Sequence, residues 1–173
     1  MRLRISKLKL LILMAMSVIG LWASSMVIII WYALKGQLPL CPTGTIHIGP
    51  FNIFLDCGAV LGSKYSSVFG VPLEFAALVY FIINLLLVYL IAFGSDGVFK
   101  RAMRTLFAWR FIGLIIVPYL LFVEIVLIRA ICVYCTIMHV SIVIDFIIIS
   151  YLLFYKKSGI FAPIDAPGEV TAS

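Results

Sequence analysis

Between Leu10 and Leu34 the chain carries no charged residue, and three further apolar stretches, at about 71–93, 105–127 and 132–155, contain only Glu74, then Arg110 and Glu124, then Asp145. At about 1.5 Å of rise per residue, each is long enough to cross a hydrocarbon layer of about 30 Å. In lipid the backbone N–H and C=O groups must be satisfied inside the protein, and a helix does so within one segment. The composition agrees, since 65% hydrophobic and 12% charged residues stand far from the roughly 45–50% and 25% of soluble domains. The expected fold is an all-α integral membrane protein, a four-transmembrane-helix bundle forming one domain over residues 1–157, with a flexible cytoplasmic tail at 158–173. A net charge of +6 would suggest nucleic acid in a soluble protein. Here it records topology, and no basic stretch interleaved with aromatics offers a nucleic-acid surface.

Arg2, Arg4, Lys7 and Lys9 precede the first run. Such a start resembles a signal peptide, but the run exceeds the usual apolar region of about 7–15 residues and lacks a convincing small-residue cleavage site, so it is expected to stay as helix one. Lys35-Gly36 closes it. In the loop that follows, Thr45-Ile46-His47-Ile48 and Phe51-Asn52-Ile53-Phe54 alternate on either side of Gly49-Pro50, the pattern of a β-hairpin with His47 in solvent. Cys41 and Cys57 lie equally far from Gly49 along the chain, so the hairpin brings them nearly opposite and a disulfide between them is reasonable. Ala59 to Phe69 is expected to form a short helix ended by Gly70, with Pro72 starting helix two. Gly94-Ser95-Asp96-Gly97 is a turn, followed by a basic loop of Lys100, Arg101 and Arg104. Arg110 is expected to snorkel towards that basic side, and Pro118 to kink helix three.

Four helices place both termini on one side. Ten basic residues, Arg2, Arg4, Lys7, Lys9, Lys100, Arg101, Arg104, Arg110, Lys156 and Lys157, fall on that side, against Lys35, Lys64 and Arg129 on the other. The positive-inside rule then makes the termini cytoplasmic. All four cysteines consequently face the extracytoplasmic side, where disulfides form and persist.

Cys132-Val133-Tyr134-Cys135 sits where the fourth run begins. There the unsatisfied N–H groups and the dipole of a helix favour a thiolate, the reactive form of cysteine. Two thiol pairs, one in a loop and one at a helix mouth, suit a relay of thiol–disulfide exchange. The loop pair can meet a soluble protein, the other something dissolved in the bilayer. Cysteine pairs move two electrons at a time, and the lipid-soluble acceptor of two electrons is a quinone. Four thiolates also have the ligand count of a zinc site, but the wide first spacing and the oxidising side argue against one, and no metal is expected.

These residues resemble the vitamin K epoxide reductase family, in particular its prokaryotic disulfide-forming homologues. The likeness rests on Cys41 and Cys57 in the first outer loop, on Cys57-Gly-Ala-Val-Leu-Gly-Ser63, on Phe69-Gly70-Val71-Pro72-Leu73 entering helix two and on the close pair opening helix four. In the other bacterial quinone-linked thiol oxidases the order of the close and wide pairs is reversed. The resemblance implies that a thioredoxin-like protein passes electrons to Cys41 and Cys57, that a transient Cys57–Cys132 bridge forms, and that Cys135 delivers electrons to ubiquinone, menaquinone or a vitamin K type quinone. It also places Ser63 at the border of the pocket. Two departures stand out: the loop cysteines are 16 positions apart, wider than is usual in the family, and His139 stands where the vertebrate enzymes have tyrosine. With no thioredoxin-like domain after helix four, the partner is expected to be a separate protein.

His139 follows Cys135 by one turn and either bonds a quinone oxygen or supplies a proton, or else packs as a neutral histidine. Asp145, near the middle of helix four, is a candidate because burying a carboxylate in a membrane is costly. Its face is about 80° away from that of Cys135, and a bond to a neighbouring helix is the alternative. Glu74 and Glu124 are expected to pair with Lys64 or Arg129. The sequence thus points to a membrane thiol oxidase that makes disulfides in a partner and reduces a quinone. The alternatives are a vitamin K epoxide or quinone reductase, and a non-catalytic scaffold with structural disulfides.

Overall fold

The computed structural model describes residues 7–154 other than 42, 43, 49, 50 and 69, with the backbone alone at 45–48, 51–53 and 96. The tail, Lys156-Lys157, Arg2, Arg4, the Gly49-Pro50 turn and the side chain of His47 therefore lie outside the described residues. Among the described residues, four helical spans are long and apolar enough to cross a membrane: Lys7–Ala33, Leu73–Phe93, Gly97–Ile128 and Val133–Phe154. The first is α1 (Lys7–Val27) continued by a π-helical turn, Ile28–Ala33. The others are α3 (Leu73–Phe93), α4 (Asp96–Phe122) with a second π-helical turn, Val123–Ile128, and α5 (Val133–Phe154). In chain order, α1 packs on α3 and α5, α3 on α4, and α4 on α5, which closes the bundle.

Close approach is bought with small residues and internally satisfied hydroxyls. The ring of Phe81 fills the space where a side chain on Gly20 would lie, so α1 and α3 meet at near backbone distance. Ser17 and Ser25 donate to the carbonyls of Leu13 and Leu21 at 2.8 and 2.7 Å, which removes their polar groups from competition with lipid.

Two apolar cores occupy the ends of the bundle. One holds Leu13, Val88, Met103 and Ile149, the other Val27, Phe81, Tyr134 and three of the cysteines. A polar layer separates them. Arg110 is fully buried, pairs with Asp145 at 3.1 Å and donates to Asn84 Oδ1 and the Asp145 carbonyl at 3.0 Å each. Asn84 in turn donates to Ser17 and Asp145, both at 2.9 Å. This corrects the expectation that Arg110 snorkels. Because α4 begins at Asp96 and not at Thr105, Arg110 lies about 21 Å inside the helix, beyond the reach of its side chain to the helix end. The basic loop is corrected with it. Lys100, Arg101 and Arg104 ride on the first turns of α4, while Ala102, Met103 and Leu106 turn into the core.

The cysteine-bearing end is capped by short elements. β1 (Gly44–Ile48) and β2 (Phe51–Leu55) form the expected antiparallel hairpin. β2 also pairs in parallel with β5 (Ala130–Ile131), Phe54 opposite Ala130 and Leu55 opposite Ile131. The short helix α2 is Cys57–Leu61, not Ala59–Phe69. Asp56 caps it by accepting from the Ala59 N–H at 3.0 Å. Beyond Gly62 the chain turns into β3 (Ser67–Val68), paired with β4 (Val71–Pro72) around Gly70, whose φ of 81° suits glycine.

Candidate functional site

The loop cysteines Cys41 and Cys57 are joined in a disulfide with their Cα atoms 6.2 Å apart, and Cys132 and Cys135 are free and buried. The β2–β5 pairing sets the two pairs in register. Cys57 follows β2 after one residue and opens α2, and Cys132 follows β5 directly and precedes α5. The register is fixed by hydrogen bonds from the N–H groups of Phe54 and Asp56 to the carbonyls of Arg129 and Ile131, at 3.0 and 3.2 Å. From between the two helix-mouth thiols, Tyr134 donates to the Pro39 carbonyl at 2.5 Å, tying down the segment that leads to Cys41.

Cys132 occupies the capping position of α5. Its sulfur accepts from the Cys135 N–H at 3.4 Å, and its carbonyl accepts from the Thr136 N–H at 2.9 Å. The Cys135 thiol also donates to that sulfur, which, with backbone N–H groups and against the effect of burial, holds the Cys132 thiol below the ordinary range. A thiol held in this way is more readily ionised, and the thiolate is the nucleophilic form of cysteine.

Cys135 lines a cavity of about 520 Å³ between α3, α4 and α5, beneath α2. Its wall is almost wholly apolar. The exceptions carry the interest: Ser63 Oγ, Tyr80 Oη, Glu124 Oε2 and His139 Nδ1 have no hydrogen-bond partner, and all four side chains line this cavity. Buried polar atoms are ordinarily satisfied, so four orphans around one hollow call for a ligand with polar ends on an apolar body. Trp109 stacks on Tyr80 at 5.4 Å and gives the cavity a flat aromatic side.

The structure therefore gathers Cys135, Ser63 and His139 at one cavity, with Cys132, Cys57 and Cys41 leading away from it. Asp145 is the exception among the sequence candidates. It lies in the polar layer, bound to Arg110 and Asn84, and does not line the cavity. The expected pairings of the glutamates also fail among the described residues. Glu74 accepts from Tyr32 at 3.0 Å, Lys64 lies over the Tyr65 ring, and Glu124 faces the helix-mouth thiols. Glu124, Tyr80 and Trp109 are site residues that the sequence alone did not single out. The signal was present for Glu124, a carboxylate inside an apolar run.

A profile of the Vitamin K epoxide reductase family matches residues 11–150, most of the chain. The chain belongs to the vitamin K epoxide reductase family. No curated protein matches it significantly. Members of the vitamin K epoxide reductase family are membrane oxidoreductases linked to quinone or vitamin K redox chemistry, and both parts of that description have a physical counterpart here. The four spans make a multi-pass membrane protein, and the disulfide and the two free thiols supply a pair of two-electron centres.

Proposed function

We propose that this protein is a thiol oxidase that forms disulfides in a separate thioredoxin-like partner and passes the electrons to a membrane quinone. The observation that carries the reading is the position of Cys135, on the wall of an apolar cavity edged by unpartnered polar atoms and next to a thiol held ready for ionisation. A quinone head, flat and apolar with an oxygen at each end, matches that lining. When bound, it accepts two electrons and two protons.

The residues act in sequence. The partner's dithiol reduces the Cys41–Cys57 disulfide and leaves oxidised. Cys57 then attacks Cys132 of a Cys132–Cys135 disulfide and releases Cys135 as a thiolate; Cys41 attacks Cys57, frees Cys132 and restores the loop disulfide. The state with Cys41–Cys57 joined and Cys132 and Cys135 reduced is the one reached after this transfer. Re-forming the Cys132–Cys135 bond at the cavity then sends two electrons to the quinone. Residues 1–157 form the catalytic domain and 158–173 a tail. Both termini are cytoplasmic and the cysteines extracytoplasmic.

The test follows ubiquinone and menaquinone analogues by absorbance in the presence of purified protein and a reduced thioredoxin-like protein, beside Cys135→Ala. Loss of oxidised quinone with the parent and none with the variant is the expected result. Folded parent that consumes no quinone, but consumes vitamin K epoxide when given dithiol, would move the reading to epoxide reduction. Consumption of neither would leave the cysteines a structural role.

A further inference from the structure

Glu124 is a carboxylate with one end at the thiols and the other at the cavity. It is 3% exposed. Its carboxyl group faces the Cys135 thiol and the Cys132 backbone N–H. Its Oε2 has no partner, and its side chain lines the cavity wall on which Cys135 also lies. Local backbone puts it there: Pro118 interrupts the hydrogen-bond ladder of α4, and the π-helical turn Val123–Ile128 follows, with Glu124 as its second residue. A π-helical turn rephases side chains relative to the helix before it, and such turns gather at functional sites. Glu74, the other carboxylate on the wall, differs because its Oε2 is already taken by Tyr32.

We propose that Glu124 is a catalytic residue that takes the proton of the Cys135 thiol and delivers it to the quinone. The proposal rests on the quinone-linked reading above. The transfer balances as follows. Cys135 gives its proton to the Glu124 carboxylate and becomes a thiolate. The Cys132–Cys135 bond forms as two electrons pass from the sulfurs to the quinone, and protonated Glu124 gives its proton to the nearer quinone oxygen. The second proton of the quinol equals the one that Cys132 gives up, and it arrives from water. Glu124 ends as it began. Without such a group the thiol proton would have to leave an apolar cavity before the electrons do, which separates charge in a medium of low dielectric.

The experiment compares parent, Glu124→Gln and Glu124→Asp in steady-state reduction of a ubiquinone analogue by a reduced thioredoxin-like protein. It reads kcat, KM for the quinone and the pH dependence of kcat, with quinone binding followed by quenching of Trp109. General acid–base groups contribute about 10²–10⁴-fold. Glu124→Gln should lower kcat by about 100-fold, leave KM and binding within about twofold, and abolish the limb of the profile on which activity falls as the carboxylate is protonated. Glu124→Asp keeps a carboxylate and should recover at least a tenth of the parent rate, with the limb. Cys132, just after β5, and Cys135, on α5, face Glu124; His139 of α5 and Glu74 and Tyr80 of α3 line the same cavity, and Tyr32 of the π-helical turn after α1 is bonded to Glu74. The limb is assigned by its loss in Glu124→Gln and its persistence in Glu74→Gln, whatever the rate of the latter.

A Glu124→Gln protein within about threefold of the parent in kcat overturns the role. So does an equal loss in Glu124→Asp, or a loss confined to KM. A parent that leaves the quinone oxidised overturns the functional reading and this role with it. A parent that turns over beside an equally fast Glu124→Gln overturns the role alone.

Discussion

At the scale of single residues, two buried groups show how the same apolar surroundings serve different ends. Arg110 and Asp145 are both buried and paired with one another, and Asn84 bonds to each of them. Removing one partner of such a pair leaves a charge stranded in the bundle, at a cost of about 3–5 kcal/mol. Asp145→Asn should therefore lower stability by that order in detergent unfolding followed by tryptophan fluorescence, while the fraction that stays folded keeps its quinone turnover. Cys132 is tuned in the opposite sense, towards use. Its thiol is held low first by the bond from Cys135, so its thiolate persists on acidification further than that of an ordinary thiol and is lost only as the pH falls through the lowered value. Replacing Cys135 by alanine removes the donor, and the pH profile of Cys132 methylthiolation, read by mass spectrometry, should shift to higher pH. Cys135→Ser keeps a donor and should hold the profile near that of the parent.

Among the elements, the β2–β5 pairing does what a shorter loop would do by length alone. Sixteen positions separate the loop cysteines, and an unstructured connection of that length would let Cys57 wander. The parallel bonds to Arg129 and Ile131 fix Cys57 against the residues that lead to Cys132. Phe54→Pro deletes one of these bonds, the donor to the Arg129 carbonyl, and leaves the membrane helices untouched. A net hydrogen bond is worth about 0.5–1.5 kcal/mol. The yield of the Cys57–Cys132 mixed disulfide, trapped in a Cys41→Ser, Cys135→Ser background and read on non-reducing gels, should fall by about two- to tenfold while helix content stays constant. An unchanged yield would mean that α2 and its cap hold Cys57 unaided.

For the whole molecule, the closed bundle puts the start of α1 beside the end of α5, where Lys9 lies over the Tyr151 ring at 3.9 Å. Lys7, Lys100, Arg101 and Arg104 belong to the same end, and Lys35, Lys64 and Arg129 to the end with the cysteines. The positive-inside rule predicts that the first end is cytoplasmic. Alkaline phosphatase fused after residue 36 should be active, and fused after residue 95 inactive. The reverse pattern would put the thiols in a reducing compartment and remove the oxidase reading.

Hydropathy alone determined the helix count and the membrane setting, because the length of an uncharged run and the cost of bare backbone in lipid leave little choice. The hairpin was also legible from the alternation about Gly49-Pro50, which made a Cys41–Cys57 disulfide reasonable; that Cys57 rests joined to Cys41 and not to Cys132 is read from the structure. Element ends were read less well where apolar and basic residues share a helix: the first turns of α4 hide Lys100, Arg101 and Arg104 on the outer side of a segment whose other side is core. Which buried charges do chemistry was decided only in three dimensions. Asp145 and Glu124 look alike in sequence, each a lone acid in an apolar run, and they part because one meets Arg110 and Asn84 across the bundle while the other meets a thiol and an apolar cavity. That difference is set by how four helices are rotated against one another, which depends on contacts between residues far apart in the chain.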